Sequence, residues 1–373
     1  MRPIQMVDLQ PQYARIQSEV EAAFADVIRS GAFINGPAVK SFQQNLANFL
    51  DCKHVVACGN GTDALQIALM ALNLQPGDEV ITTPFTFVAT AEVIRLLGLV
   101  PVFVDVESDS FNINPTLIEG AITEKTRCII PVHLFGRACN MQAIMDIARQ
   151  HCLFVIEDNA QAIGATCMVD GVEQKTGTIG DIGCLSFYPS KNLGAFGDGG
   201  AINTNNDEFH KRIHRICNHG SDKRYYYETV GVNSRLDSLQ AVLLDIKLKH
   251  LNEYLEARIK LANAYDIALS GISGLVLPAR AAHSKHVFHQ YTLCTPERDA
   301  LQQFLNTQEI PTMVYYPVPL HVQKPYLDAR HPVGGLPISE RLSKEVLSLP
   351  MHTEMYDEQF EKIITEVTKF YKK

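Results

Sequence analysis

Between His54 and Thr204 the chain alternates short apolar runs with stretches of helical periodicity. Seven runs read as strands: His54 to Cys58, Glu79 to Thr83, Val102 to Val106, Cys128 to His133, Leu153 to Glu157, Ile182 to Phe187 and Gly199 to Thr204. Helical patterns separate most of them, at Thr62 to Leu72, Thr90 to Leu97, Asn114 to Ile122 and Met141 to Gln150. Strands joined by helices imply an α/β fold with a seven-stranded, mostly parallel sheet. In such a sheet ligands gather at the carboxyl ends of the strands, so the turns after each run are the places to look for chemistry.

The flanks are more helical. Tyr13, Ile16, Val20, Phe24 and Ile28 recur at spacings of three and four, and Val39, Phe42, Leu46 and Phe49 resume the pattern after Ser30 to Pro37. Beyond residue 205 the expected elements are a helix from Asp207 to Cys217 and one long helix from Ser238 to Leu269. Short strands follow at Val287 to Cys294 and Thr312 to Tyr316, with helices at Ala300 to Gln308 and Glu354 to Tyr371. The reading is a large domain, residues 1–245, and a smaller C-terminal α/β domain, residues 246–373. A net charge of −8 argues against a phosphate-backbone binder, so no nucleic-acid partner is expected. No apolar run suits a membrane span. The nine cysteines are scattered, none in a C-x-x-C pair, and the opening residues do not read as a secretory signal. Reduced thiols, a cytoplasmic location and no metal site are expected.

Four strand ends carry suggestive groups. After the first comes Cys58-Gly59-Asn60-Gly61-Thr62-Asp63, where Thr62 or Asp63 would cap a helix whose free N–H groups suit a phosphate; a capped turn without ligand reads the same way. After the second, Phe85 and Phe87 offer rings for a flat cofactor or for the core. After the fifth, Glu157-Asp158-Asn159-Ala160-Gln161 places several polar groups behind an apolar run. Asp158 would either hold a protonated ring nitrogen or cap the next helix. The sixth carries Ser186 near its end and is followed, in a glycine-rich turn, by Lys191, a Schiff-base nucleophile or a solvated loop lysine. Together these are the parts that pyridoxal 5′-phosphate (PLP) needs: a phosphate seat, a ring plate, a carboxylate for the ring nitrogen and an amine for the aldehyde.

The segments Ser30-Gly31-x-x-Ile34-x-Gly36, Asn60-Gly61-Thr62-Asp63-Ala64-Leu65, Glu157-Asp158-x-Ala160-Gln161, Ser186-Phe187-x-Pro189-Ser190-Lys191 and Gly231-Val232-Asn233-Ser234-Arg235 resemble the DegT–StrS family of PLP-dependent nucleotide-sugar aminotransferases, of the fold-type I class. The resemblance runs from Val7 to about Pro350. It implies that Lys191 binds the cofactor covalently and moves protons, and that Asp158 pairs with the pyridine nitrogen. It further implies that Gln161 meets the ring hydroxyl, Phe87 stacks on the ring, and Gly61, Thr62 and Ser186 hold the phosphate. Asn233 would reach the phosphate of a neighbouring subunit, implying a homodimer with shared active sites. Within the family the segment His219 to Tyr225 and the following Gly231 to Asp237 are most similar to enzymes that use glutamate to aminate carbon 3 of UDP-2-acetamido-2-deoxy-3-oxo-glucuronate for surface polysaccharide, such as lipopolysaccharide. His219, Arg235, Tyr315 and Tyr316 would then meet substrate, although Tyr315-Tyr316-Pro317 stands where that resemblance leads one to expect His-Tyr-Pro. Alternatives are an aminotransferase for a neutral dTDP-3-keto- or 4-keto-6-deoxyhexose, a sugar dehydratase (which would replace the lysine) and a non-catalytic regulatory module.

Overall fold

A computed structural model describes residues 2–281 and 284–372. Two helices, α1 (Gln10–Ser30) and α2 (Pro37–Leu50), precede the sheet. Its strands are β1 (His54–Cys58), β2 (Glu79–Thr82), β3 (Val100–Phe103), β4 (Thr126–Ile129), β5 (Phe154–Asp158), β8 (Ile182–Ser186) and β9 (Gly200–Thr204), with β6 (Thr166–Val169) and β7 (Val172–Lys175) forming a hairpin outside it. The order is β1-β9-β8-β5-β4-β2-β3. All pairings from β8 to β3 are parallel, whereas β9 runs antiparallel to both β8 and β1. The seven expected strands are these seven.

Alternation along each strand builds two layers. Val56 and Cys58 pack with α3 (Gly61–Ala71), α4 (Ala89–Leu96) and α6 (Asp207–Cys217), while Val55 and Ala57 pack with α2 and α7 (Ser238–Lys249). The helix α5 (Met141–His151) covers β4 and β5 beside the hairpin. A separate apolar cluster joins α8 (Leu251–Leu269), β13 (Tyr291–Cys294), α9 (Arg298–Thr307), β14 (Val346–Leu349) and α11 (Asp357–Tyr371). Two small strands, β10 (Ser221–Lys223) and β11 (Tyr226–Tyr227), form an exposed hairpin; β12 (Ser284–Lys285) pairs with β6, and α10 (Pro337–Glu345) precedes β14. No helix among the described residues is long and apolar enough to cross a membrane.

Four expected elements differ. Asn114 to Ile122 is two successive 3₁₀ turns, Pro115–Leu117 and Glu119–Ala121, closed by i→i+3 bonds, with Gly120 weakening any longer helix. The long helix breaks at His250 into α7 and α8. The run beginning at Val287 becomes a strand only at Tyr291, because Phe288 takes a left-handed φ of 48°. Thr312 to Tyr316 keeps a single bridge, Met313 to Ser348, since Pro311 and Pro317 bracket it and lack the N–H that a ladder needs.

Candidate active site

The strand ends meet at one cavity of about 510 Å³, and Gly61, Thr62, Phe87, Asp158, Gln161, Ser186, Lys191, Tyr315 and Tyr316 all line it. Four separate stretches of chain therefore deliver expected cofactor residues to one place, and a fifth brings Tyr315 and Tyr316.

At the end of β1 the cap of α3 is Asn60, whose side chain accepts from Asp63 N–H at 2.8 Å, not Thr62 or Asp63 as expected. The N–H groups of Gly61 and Thr62, which no helical carbonyl can reach, stand at the positive end of the helix dipole. Gly61 packs so closely on β8 that a Cβ there would lie 2.6 Å from Ser186 Cβ. Free N–H groups at a helix start suit an anion, and Thr62 and Ser186 line the same cavity.

Asp158 ends β5 and is 6 % exposed. Its Oδ2 accepts from Thr90 Oγ1 at 2.7 Å and its Oδ1 from Ala160 N–H at 3.2 Å. Burial pushes its carboxyl above the usual range, opposed by those two bonds and by the charge of Lys191. Asp158 does not cap a helix, because Ala160 begins a turn. Behind it Glu157 is wholly buried and accepts from the N–H groups of Gly177, Ile179 and Gly180, each at 2.7 Å. His133 Nδ1 accepts from Cys139 N–H, which fixes the tautomer, so Nε2–H donates to Glu157 at 2.8 Å. Gln161 is held at both ends: Oε1 accepts from Phe135 N–H at 2.7 Å, and Nε2 donates to Tyr316 Oη at 3.2 Å. One N–H of its amide is left for a ligand.

Lys191 rides on the loop from β8 to β9. Phe187 N–H donates to Gly199 O at 2.7 Å and Ala195 N–H to Phe187 O at 2.8 Å, folding the loop back on its root. Gly194 is required there, since a Cβ would lie 2.2 Å from the Pro189 carbonyl oxygen. The buried Lys247 of α7 donates to Gly194 O at 2.6 Å. Burial lowers the Lys191 ammonium to about 8, against the opposing attraction of Asp158. Because the free amine is the nucleophile, labelling of Lys191 in cofactor-free protein is expected to rise about tenfold per pH unit below a midpoint near 8 and to level off above it. Peptide mass mapping across pH 6 to 11 checks this; a midpoint above 10 would mean that the amine is solvated.

These residues fit PLP. The phosphate seat, the carboxylate, the amine and the Phe87 ring, 55 % exposed at the cavity, are the donor set that such a group requires. His289 and Gln290 also line the cavity and Thr90 bonds Asp158, and none of the three carried a functional signal in the sequence; His289 and Gln290 lie far along the chain in the mixed stretch His286-Val287-Phe288-His289-Gln290-Tyr291. The expected substrate residues divide. Tyr315 and Tyr316 line this cavity, whereas His219 and Arg235 line a second, open one of about 450 Å³ with Arg224, Tyr225 and Tyr227 of the exposed hairpin. Asn233 is exposed and lines neither. Its neighbour Ser234 donates to Asp63 Oδ2 at 2.6 Å and accepts from Gly59 N–H at 2.9 Å, tying this loop to the start of α3, while Asp237 is the N-cap of α7.

Residues 14–368 match the DegT/DnrJ/EryC1/StrS aminotransferase family. The chain is similar to a pleiotropic regulatory protein of Geobacillus stearothermophilus, 46% identical over 99% of both chains. It is also similar to the UDP-2-acetamido-2-deoxy-3-oxo-D-glucuronate aminotransferase of Pseudomonas aeruginosa, 43% identical over 94% of this chain and 95% of that one. A third relative, 42% identical over 98% and 97%, is the UDP-N-acetyl-3-dehydro-α-D-glucosamine 3-aminotransferase of Acidithiobacillus ferrooxidans. The crystal structure of Streptomyces venezuelae DesV in complex with a ketimine intermediate superposes with a TM-score of 0.96 over the whole of both chains at 37% identity. That of NtdA from Bacillus subtilis, with its cofactor PMP bound, gives 0.89 at 31% identity over 99% of this chain and 83% of that one. The chain belongs to the DegT/DnrJ/EryC1/StrS aminotransferases, a PLP-dependent family of sugar-aminating enzymes.

Proposed function

We propose that this protein moves an amino group from glutamate to carbon 3 of a UDP-linked 2-acetamido-3-keto sugar, with the 3-oxo-glucuronate as substrate, in surface polysaccharide synthesis. The observation that carries the chemistry is the meeting of Lys191, Asp158, Gln161, Ser186 and the start of α3 at one cavity. PLP, when bound, supplies an electron sink next to the substrate amine. The chain's own tasks are to present an unprotonated Lys191 amine, to hold Asp158 as an acceptor at the ring nitrogen, and to seat the phosphate on Gly61 and Thr62. The carbon-3 assignment draws on two relatives named for UDP-linked 3-keto sugars, whereas others are named for dTDP sugars. For the uronate we propose Arg235 acting from a neighbouring subunit, since it lines the second cavity and not the one with Lys191: its planar fork suits a carboxylate, and it has no ion-pair partner among the described residues. The test compares the 3-keto uronate with its neutral counterpart. Arg235→Leu is expected to lose at least about tenfold more kcat/KM on the acid than on the neutral sugar; equal losses would remove the uronate and leave the aminotransferase. The regulatory name of the Geobacillus relative favours a second, non-catalytic reading, which release of 2-oxoglutarate from glutamate would exclude.

The active unit is proposed to be a homodimer in which Asn233 completes the partner's phosphate seat. What supports this is that Asn233 is exposed, outside its own chain's cavity, and borne on a loop fixed through Ser234. Mixing Lys191→Ala with Asn233→Ala protein should then restore part of the activity, since a mixed dimer has one site without either lesion. Confirmed subunit exchange with no recovery would place the action of Asn233 within its own chain.

A further inference from the structure

His289 stands in the cavity wall without a role in the scheme above. It is 4 % exposed, and its Nδ1 is enclosed with no hydrogen-bond partner among the described residues. Much of the local structure serves to hold it there. The preceding Phe288 takes φ 48°, a left-handed conformation that a bulky residue adopts only under constraint. Gly136 lets the backbones meet, since a Cβ on it would lie 2.9 Å from His289 N. Val287 N–H donates to Gly136 O at 2.9 Å, and Arg258 Nη1 donates to the carbonyls of Phe288 at 3.2 Å, His289 at 3.3 Å and Met351 at 3.3 Å.

Arg258 is 3 % exposed and has no carboxylate partner among the described residues. A buried guanidinium with only carbonyl partners leaves a positive potential around it. The His289 ring is accordingly kept neutral: burial first, then the charges of Lys191 and Arg258, hold it well below the ordinary histidine range. A proton on Nδ1 would be a buried donor without an acceptor. It therefore sits on Nε2, the nitrogen that the cavity can reach. Among the described residues of this chain the cavity is lined by two carboxylates, Asp158 and Asp198, and by no arginine, so a carboxylate of the amino donor there needs another donor.

We propose that His289 Nε2–H donates to a substrate carboxylate within the cavity, that of the amino donor. This rests on the aminotransferase reading and names a carboxylate-binding residue for it. A hydrogen bond from a neutral donor to a charged oxygen, set in a positive field, is the kind that changes affinity about tenfold to a hundredfold.

Two substitutions separate binding from scaffolding. The amide nitrogen of glutamine can occupy the place of Nε2, whereas that of asparagine stops at the place of Nδ1. His289→Asn is expected to raise the KM for glutamate about tenfold to a hundredfold with the KM for the 3-keto nucleotide sugar within about twofold, and His289→Gln to recover most of the loss. A rise confined to the KM of the uronate substrate would overturn the amino-donor assignment in favour of the sugar carboxylate. Unchanged KM values for both, or equal damage by both substitutions, would overturn the proposal altogether. An independent measurement uses ¹⁵N-histidine spectra of the full-length, cofactor-loaded protein, with His289→Gln to assign the signal. His289 should appear as the neutral Nε2–H tautomer and shift when 2-oxoglutarate is added; a signal that does not move overturns the contact. Absence of turnover in the unsubstituted protein would instead fail the aminotransferase reading, and the spectra would still judge His289.

Discussion

Lys191→Ala is expected to abolish transamination, with kcat/KM falling at least about 10⁴-fold, while the thermal midpoint of the cofactor-free protein stays within a few degrees. Among the described residues Lys191 is the only lysine or arginine lining the cavity, and its amine makes no hydrogen bond to them, so its removal leaves no hydrogen-bond partner stranded. The loop is held instead by backbone bonds at Phe187 and Ala195 and by Lys247. Borohydride reduction of the PLP-loaded parent protein followed by peptide mapping should place the pyridoxyl adduct on the Lys191 peptide, and an adduct elsewhere would end this assignment.

The second largest effect is expected from Asp158→Asn, a fall in kcat of roughly 10² to 10³ with little change in the KM for either substrate. An amide cannot stabilise a protonated pyridine nitrogen as a carboxylate does. The site around Asp158 is built for an acceptor: Thr90 and Ala160 both donate to it, and an amide NH₂ turned toward either would face a donor. Near-normal turnover in this variant would reduce Asp158 to a structural acceptor. Comparing single-turnover rates with unfolding midpoints distinguishes the two roles.

The strands and most of the cofactor seat could be read from the sequence because each is a contiguous pattern with a local physical cause. His54 to Cys58, for example, alternates its faces between α3 and α2 and ends in a capped turn. The β6–β7 hairpin was also legible and was missed: Asp170-Gly171 is a two-residue hairpin signal, and both residues take left-handed φ, 51° and 76°. His289 was not legible. Its placement depends on Gly136 and Arg258, far away in sequence, and nothing in the local stretch His286-Val287-Phe288-His289-Gln290 sets it apart from the histidines around it. The division of His219 and Arg235 from Tyr315 and Tyr316 was equally hidden, because it follows from where the 221–227 hairpin projects, and no local pattern states that.

The reversal of β9 has a mechanical consequence. Because β9 returns antiparallel, Ser186 and Gly200 lie side by side, and the lysine loop leaves and re-enters the sheet at one point. Cys184 in turn pairs with Asp158 on the adjacent strand. Any bending or sliding of the sheet therefore carries the amine and the carboxylate together as one rigid frame. Phe288 packs in the C-terminal cluster, and Tyr315 and Tyr316 pack with Cys294 and Val346, whereas Val287 lies under the lysine loop, where Asn192 Nδ2 donates to its carbonyl at 3.5 Å. Warming or a destabilising change in the C-terminal cluster should thus loosen the fit to the substrate well before it separates Lys191 from Asp158.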